Sequence, residues 1–202
     1  MRYVNQLQHP HLLYVTRTTL DEENREYGRT TTVKSSGCGL CAAIMALDRL
    51  LTDYKFDLPD AIQLAYDVKA NLRVGTDYAA FAPAVAERFG LRLETATDVE
   101  AVRRCLRTGG VAVVLVGGDR DDHVGLFCKG GHYMTIISEE PDGRLAILDP
   151  AYSVERFKRD GREEARSGKV EIKNEIITIC AADVLHEETR GKKVPYYLFW
   201  RG

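Results

Sequence analysis

The chain has 202 residues, 45% of them hydrophobic, with a formal net charge of −2. That length buries a core without disulfide staples and suits one domain or one two-lobed domain. The near-neutral balance gives no electrostatic case for nucleic acid or an anionic membrane, and no uninterrupted apolar stretch approaches the ~20 residues that span a bilayer.

The N-terminal residues lack the basic start and apolar run of a signal peptide. Five scattered cysteines, an odd number, favour reduced thiols and hence the cytoplasm. A secreted chain stripped of its leader would read the same.

Residues 1–36 read as an arm packed on the domain. Within it, His11-Leu12-Leu13-Tyr14-Val15-Thr16 suits a strand and Asp21-Glu22-Glu23-Asn24-Arg25-Glu26 is simply polar. Residues 37–51 place Leu40, Ala43, Ile44, Leu47, Leu50 and Leu51 on one stripe, the mark of an amphipathic helix facing a core. A second helix starts near Pro59 and turns Ile62, Ala65 and Tyr66 inward. The third follows Thr76-Asp77, with Thr76 as N-cap, and ends at Gly90. The fourth opens on the capping-box pattern Thr97-Asp98-Val99-Glu100 and stops at Gly109-Gly110. Four helices are thus expected before any strong strand.

From Val111 the period changes. Residues 111–116 form a buried-type strand, and residues 133–138 and 144–148 flank the turn signal Glu140-Pro141-Asp142-Gly143 as a hairpin. Residues 176–180 and 196–200 read as further strands, and the charged stretch 156–173 before them as a solvated loop or exposed helix. The economical architecture is α+β and single-domain: a helical lobe over 37–110 against an antiparallel sheet lobe over 111–202, with the site in the cleft between them.

Chemistry concentrates at Ser36-Gly37-Cys38-Gly39. A thiol at a helix start meets unpaired amides and the positive end of the dipole, which favour the reactive thiolate. The flanking glycines keep bulk from the sulfur. A nucleophilic cysteine needs a base, and the base an orienting group. Gly130-Gly131-His132 opens the first hairpin strand and Asp149-Pro150 closes the second. A four-residue turn sets Asp149 opposite Met134 on the face of His132; a one-residue slip would separate them. In this reading Asp149 takes the His132 Nδ1–H and Nε2 faces the sulfur.

At these residues the sequence resembles the papain-like cysteine peptidases, in particular the bacteriocin-processing, double-glycine-leader peptidase-like family. The resemblance rests on Ser36-Gly37-Cys38-Gly39 leading into an Ala/Met-rich helix, on Gly131-His132-Tyr133 and on Asp149-Pro150, in that order, and covers roughly residues 27–155. It implies a nucleophile at Cys38, a general base at His132 and an orienting acid at Asp149, acting on a peptide or related amide through an acyl-thioester with no metal or cofactor. The chain departs from the family in two places. Leu40 stands where proline usually follows Cys-Gly, and Thr32 stands where many members carry an oxyanion-binding glutamine. The Cys38 amide and a side chain among Thr32, Ser35 and Ser36 are the candidate oxyanion donors.

Three rival readings use the same residues. Cys38-x-x-Cys41 is a thiol-disulfide redox spacing, and with Cys128 and His132 it is a set of tetrahedral zinc ligands. A catalytically weak peptide-binding domain would keep the fold and lose the chemistry. The loop Gly117-Gly118-Asp119-Arg120-Asp121-Asp122-His123 reads as a solvated charge run or as a lid over the cleft. Cys105 and Cys180 read as core.

Overall fold

The structure, a computed structural model, describes residues 2–17, 28, 29, 31–72, 75–174 and 176–202. The polar stretch at 21–26, expected in the arm, lies outside the described residues. The first half carries α1 (Val33–Ser36), α2 (Cys38–Leu50), α3 (Leu58–Asp67), α4 (Tyr78–Phe89) and α5 (Val99–Arg107), with the short strands β1 (Thr16–Arg17), β2 (Gly28–Arg29), β3 (Asn71–Leu72) and β4 (Gly75–Thr76). These four strands form one small sheet in the order β2-β1-β3-β4. Of the strand expected over 11–16, only Thr16 enters a ladder; Leu13 makes an isolated bridge to Thr32.

The helix ends follow their side chains. Asp57 accepts from the Asp60 amide at 3.2 Å, and Asp60 returns the bond to the Asp57 amide, so α3 starts on a reciprocal box with Pro59 in its first turn. Asp77 rather than Thr76 caps α4, accepting from the Ala79 amide at 3.0 Å. Gly90 ends that helix at φ 61°, a conformation that glycine adopts without steric cost. Asp98 caps α5 through the Ala101 amide at 2.8 Å.

A large sheet organises the rest. Its strands are β5 (Leu91–Ala96), β6 (Val111–Val116), β7 (His132–Glu139), β8 (Leu145–Leu148), β9 (Val170–Lys173), β10 (Ile177–Cys180) and β11 (Tyr196–Arg201). They lie in the order β5-β11-β6-β7-β8-β10-β9, every neighbour antiparallel. β5 falls inside the stretch expected to be purely helical. Its sequence alternates, with Leu91 and Leu93 half-buried and Arg92 and Glu94 exposed, as an edge strand requires. The sheet therefore begins before residue 111.

Both faces of the sheet are covered. On one, Val111, Val113, Tyr133, Tyr197 and Phe199 pack into a core with Leu40, Ile44 and Leu47 of α2. On the other, Ala112, Val114, Met134, Ile136 and Leu198 meet Val102 and Cys105 of α5 and Leu185 of α8 (Ala182–Glu187). This explains the unbroken apolar run at 111–116, since alternate residues serve different cores.

The charged stretch 156–173 is more than a solvated loop. It includes parts of α6 (Val154–Arg159) and β9 and all of α7 (Glu163–Arg166), and Arg162 and Arg166 are buried. Arg162 pairs with Asp119 at 2.6 Å. Arg166 stacks 4.0 Å from the Phe157 ring centroid, pairs with Asp160 and donates to Leu126 O at 2.7 Å. Buried guanidinium groups need such partners, which come from α6 and its C-terminal end and from the loop residues Asp119 and Leu126. Among the described residues no helix is long and apolar enough to cross a membrane.

Candidate active site

Cys38 is the first residue of α2, so its amide has no intrahelical acceptor and its thiol sits at the positive end of the helix. Gly37 alone separates it from α1. A Cβ on Gly37 would lie 2.6 Å from Val33 Cγ1 and 2.7 Å from Val33 O, which explains that glycine by packing. A Cβ on Gly39 would lie 2.9 Å from Thr76 Cβ and 3.3 Å from Tyr133 Cδ2. The glycines let α1 turn into α2 and let the tip of α2 approach the strand that carries His132. Gly37→Ala is expected to cost ~1–3 kcal/mol through overpacking, read as a lowered Tm in thermal melts. An unchanged Tm would contradict this packing argument.

The helix runs along β7. Thr135 Oγ1 donates to Ala42 O at 2.9 Å, and Arg49 Nε donates to Ile137 O at 3.4 Å. His132 opens β7 opposite Val116 of β6, and Asp149 follows the last residue of β8. The ladder ends on the pair Thr135↔Leu148, which, carried one residue further, sets Asp149 opposite Met134, the register expected from the sequence. It is reached by two cancelling offsets. Glu139 pairs with Leu145, so the connection is one residue longer than four, and a bulge at Ile137 returns the extra residue.

His132 Nε2 lies 2.6 Å from Asp149 Oδ1. This corrects the expected orientation: Nε2 faces the carboxylate, so Nδ1 is the nitrogen left for the sulfur. Asp149 Oδ1 also accepts the Ala151 amide at 2.7 Å, which fixes the carboxylate by its own turn. Its Oδ2 is buried and has no hydrogen-bond partner among the described residues. Cys38 and His132 lie close enough that each shifts the ionisation of the other, so the three expected residues are brought together.

Burial and charge act in opposite directions here. Burial alone pushes the Cys38 thiol up; the hydrogen bond and charge of His132, with backbone bonds at Tyr133 and Gly39, outweigh it and leave the thiol below its ordinary value. For His132, burial disfavours the cation, yet the Asp149 charge and hydrogen bond, with the contact to Cys38, raise it to about 9. Asp149 resists burial and stays below the usual carboxylate range because of His132, Arg156 and the Ala151 amide. The arrangement favours a thiolate–imidazolium pair backed by a carboxylate.

The other expected residues separate clearly. Ser35 Oγ accepts from the Thr32 amide at 3.2 Å and donates to Thr32 O at 3.0 Å, so its hydroxyl serves the start of α1. Ser36 Oγ lies 3.5 Å from Ser35 Oγ, and both it and Thr32 are half-buried. Cys41 is fully buried in the α2 core, and burial pushes its thiol well up, which suits neither thiol exchange nor a ligand. Cys128 donates toward Gly117 O and Gly130 O at 3.0 and 2.9 Å, and burial raises it to about 12. Cys105 and Cys180 are buried, as expected of core. No group of three or more His, Cys, Asp or Glu able to hold a metal is gathered among the described residues.

The loop 117–123 is tied down as well as solvated. The buried Glu188 meets His123 Nε2 at 2.5 Å and accepts the Leu126 amide at 2.8 Å, while Asp119 takes Arg162. A concavity of about 640 Å³ lies at the other end of α2, lined by Arg49, Arg103, Arg107 and the β7–β8 turn; none of Cys38, His132 and Asp149 borders it. Sequence reasoning missed Tyr14 and Thr76. Thr76 packs against Gly39 and shares a 3.0 Å hydroxyl contact with Tyr14, beneath the turn that carries Cys38. No pattern in the sequence joins residues 62 positions apart.

No protein-family model matches this sequence, and no curated protein matches it. Among solved structures, a protein described as a C39-like peptidase from Bacillus anthracis superposes with a TM-score of 0.55 at 10% identity, covering 100% of this chain and 94% of that one. The peptidase domain of Streptococcus ComA, a bifunctional ABC transporter involved in quorum sensing, gives a TM-score of 0.49 at 11% identity, covering 82% of this chain and 91% of that one. The first likeness shows the fold: this chain carries the papain-like α+β architecture of a C39-like peptidase, in agreement with the resemblance borne by its cysteine, histidine and aspartate motifs.

Proposed function

We propose that the protein is a cysteine peptidase or amide hydrolase acting through Cys38, His132 and Asp149. One observation carries this reading: a thiol at a helix tip, held below its ordinary value by a neighbouring buried imidazole whose Nε2 is 2.6 Å from a buried carboxylate. An inert core cysteine would have its thiol raised, as the other cysteines here do.

The thiolate attacks the substrate carbonyl, and the developing oxyanion is met by the Cys38 amide at the helix start. The carbon–nitrogen bond breaks as His132 Nδ1 gives its proton to the leaving amine. Water then attacks the thioester, His132 takes the water's proton, and the carboxylic acid leaves with Cys38 restored. Asp149 keeps Nε2 occupied so that Nδ1 faces the sulfur throughout.

The pH dependence follows from the two groups. As pH falls through the lowered Cys38 value the thiolate is lost, and as pH rises through about 9 His132 loses the proton destined for the leaving amine. The kcat/KM profile is expected to be a bell with its alkaline limb near 9. A peptide library incubated with the protein and read by mass spectrometry tests the activity: cleavage that Cys38→Ser abolishes supports it, and cleavage unaffected by that substitution refutes it.

A further inference from the structure

Four successive carbonyls beginning at Asp149 are each held by a donor from elsewhere in the chain. Tyr3 Oη donates to Asp149 O at 2.6 Å, the Gln6 amide to Pro150 O at 2.7 Å, Arg156 Nη1 to Ala151 O, and Asn5 Nδ2 to Tyr152 O at 2.8 Å. Three of these donors come from a short stretch at the N-terminus. Residues 149–152 are buried, and buried carbonyls require partners, so the turn depends on these four donors to keep its place.

The same stretch also reaches the nucleophile's side. Gln6 Nε2 donates to Lys34 O at 2.7 Å, in the short helix leading to Cys38, and the Lys34 amide donates to His9 O. Gln6 thus joins the acid turn through its backbone and the approach to Cys38 through its side chain. Asn5 Oδ1 accepts the Leu7 amide at 2.9 Å, which rigidifies the segment between the two anchor points. On the opposite flank, Arg156 Nη2 donates to Phe127 O at 2.7 Å and so ties the acid turn to the loop ahead of His132.

We infer that Tyr3, Asn5, Gln6 and Arg156 are positioning residues that hold the Asp149 turn in reach of His132, making the N-terminal segment part of the active-site scaffold. The inference rests on the proposed catalytic roles for its consequence in turnover, but the positioning itself is measurable without a substrate. A displacement of about 1 Å at a supporting group is enough to weaken a 2.6 Å charge-assisted bond.

The test is the double variant Tyr3→Phe/Asn5→Ala in the full chain. It removes two of the four donors and leaves the Gln6 amide and Arg156 in place. Thr189→Val is the control: it deletes a buried hydroxyl that donates to His186 O at 2.7 Å and has no bond to the acid turn. Imidazole NMR titration of His132 and iodoacetamide alkylation of Cys38 are followed against pH. The double variant is expected to lower the His132 midpoint from about 9 by roughly half a unit or more, and to slow Cys38 alkylation at pH 6 about 3- to 10-fold. The control, with a comparable loss of Tm, is expected to leave both readings unchanged.

Titration curves of the double variant that superimpose on wild type would overturn the inference, as would an equal shift in the control. If the double variant does not fold, Tyr3→Phe alone is titrated in its place, a lowered His132 midpoint supporting the inference and an unchanged one overturning it. A wild-type His132 midpoint near 9 that the double variant lowers, alongside an absence of any Cys38-dependent cleavage, supports the positioning role while refuting the hydrolase reading.

Discussion

Replacing Cys38 by alanine is expected to reduce turnover of a cleavable peptide by ~10,000-fold or more while leaving the fold intact. Cys38 is half-buried at the helix tip, so the substitution removes one sulfur and creates no core cavity. His132 keeps its bond to Asp149, and the packing of Gly37 and Gly39 is untouched. Serine in its place is expected to be nearly as inactive, because a helix tip and an imidazolium that suffice to ionise a thiol are insufficient for an alcohol. Cys41→Ala separates this account from a redox one. That side chain lies in the core of α2, so its truncation is expected to lower Tm and leave turnover within a few-fold of wild type. Peptide cleavage followed by mass spectrometry, with melts on each variant, checks all three expectations. Comparable losses for Cys38 and Cys41 would point to the dithiol instead.

Asp149→Ala is expected to produce the second largest loss, ~100- to 10,000-fold in turnover. Asp149 is fully buried and its Oδ1 serves two donors, His132 Nε2 and the Ala151 amide. Truncation leaves both unpaired and removes the charge that keeps His132 protonated, so the His132 midpoint falls below its normal range and the thiolate goes with it. Breaking such a buried pair costs about 3–5 kcal/mol of stability. Asp149→Asn separates geometry from charge, because an amide oxygen still accepts both bonds while the anion is gone. Its Tm is expected to lie between wild type and Asp149→Ala, with turnover closer to the latter.

The sign of the pH effect on stability follows. The raised His132 value contributes stability that is fully present below its unfolded pKa of ~6.5 and is lost as pH rises through about 9. The lowered Asp149 value contributes above ~3.9 and is lost as pH falls through its depressed folded value. The Tm gap between wild type and Asp149→Ala is therefore expected to be widest between roughly pH 4 and 6.5 and to narrow above 9. A gap independent of pH would mean that shape, not charge, governs this site.

The cysteine at the tip of α2 is legible because its signals are local. Spacing announces α2, and a cysteine at its start has few structural uses. The hairpin partners were legible because a turn signal and alternating strands set a register, although the correct pairing at Asp149 comes from a longer connection offset by the bulge at Ile137. Neither offset is written in the residues of the turn. The orientation of His132 was not legible, since an imidazole presents two nitrogens and only backbone geometry decides which one meets the acid.

The glycines beside Cys38 illustrate a different limit. In sequence they read as keeping bulk from the sulfur, yet the nearest constraints are Val33, Thr76 and Tyr133, two of them distant in sequence. β5 is hard to read from sequence because an edge strand with charged residues on one face has a weak apolar signal and follows closely on a helix. The N-terminal segment left the faintest trace of all. Tyr3, Asn5 and Gln6 act on backbone carbonyls more than 140 positions away, and a carbonyl carries no residue identity for a pattern to detect.

The central claim is that a helix end, an imidazole and a carboxylate favour the Cys38 thiolate, so that this thiol ionises below an ordinary one. Iodoacetamide labelling of Cys38 over a pH series, comparing wild type with His132→Ala, measures this directly. The account predicts rapid labelling of Cys38 in the wild type, with a midpoint below that of an ordinary thiol, and a shift of that midpoint to higher pH in His132→Ala. An ordinary thiol titration in a correctly folded wild type, or one that His132→Ala leaves in place, would contradict it.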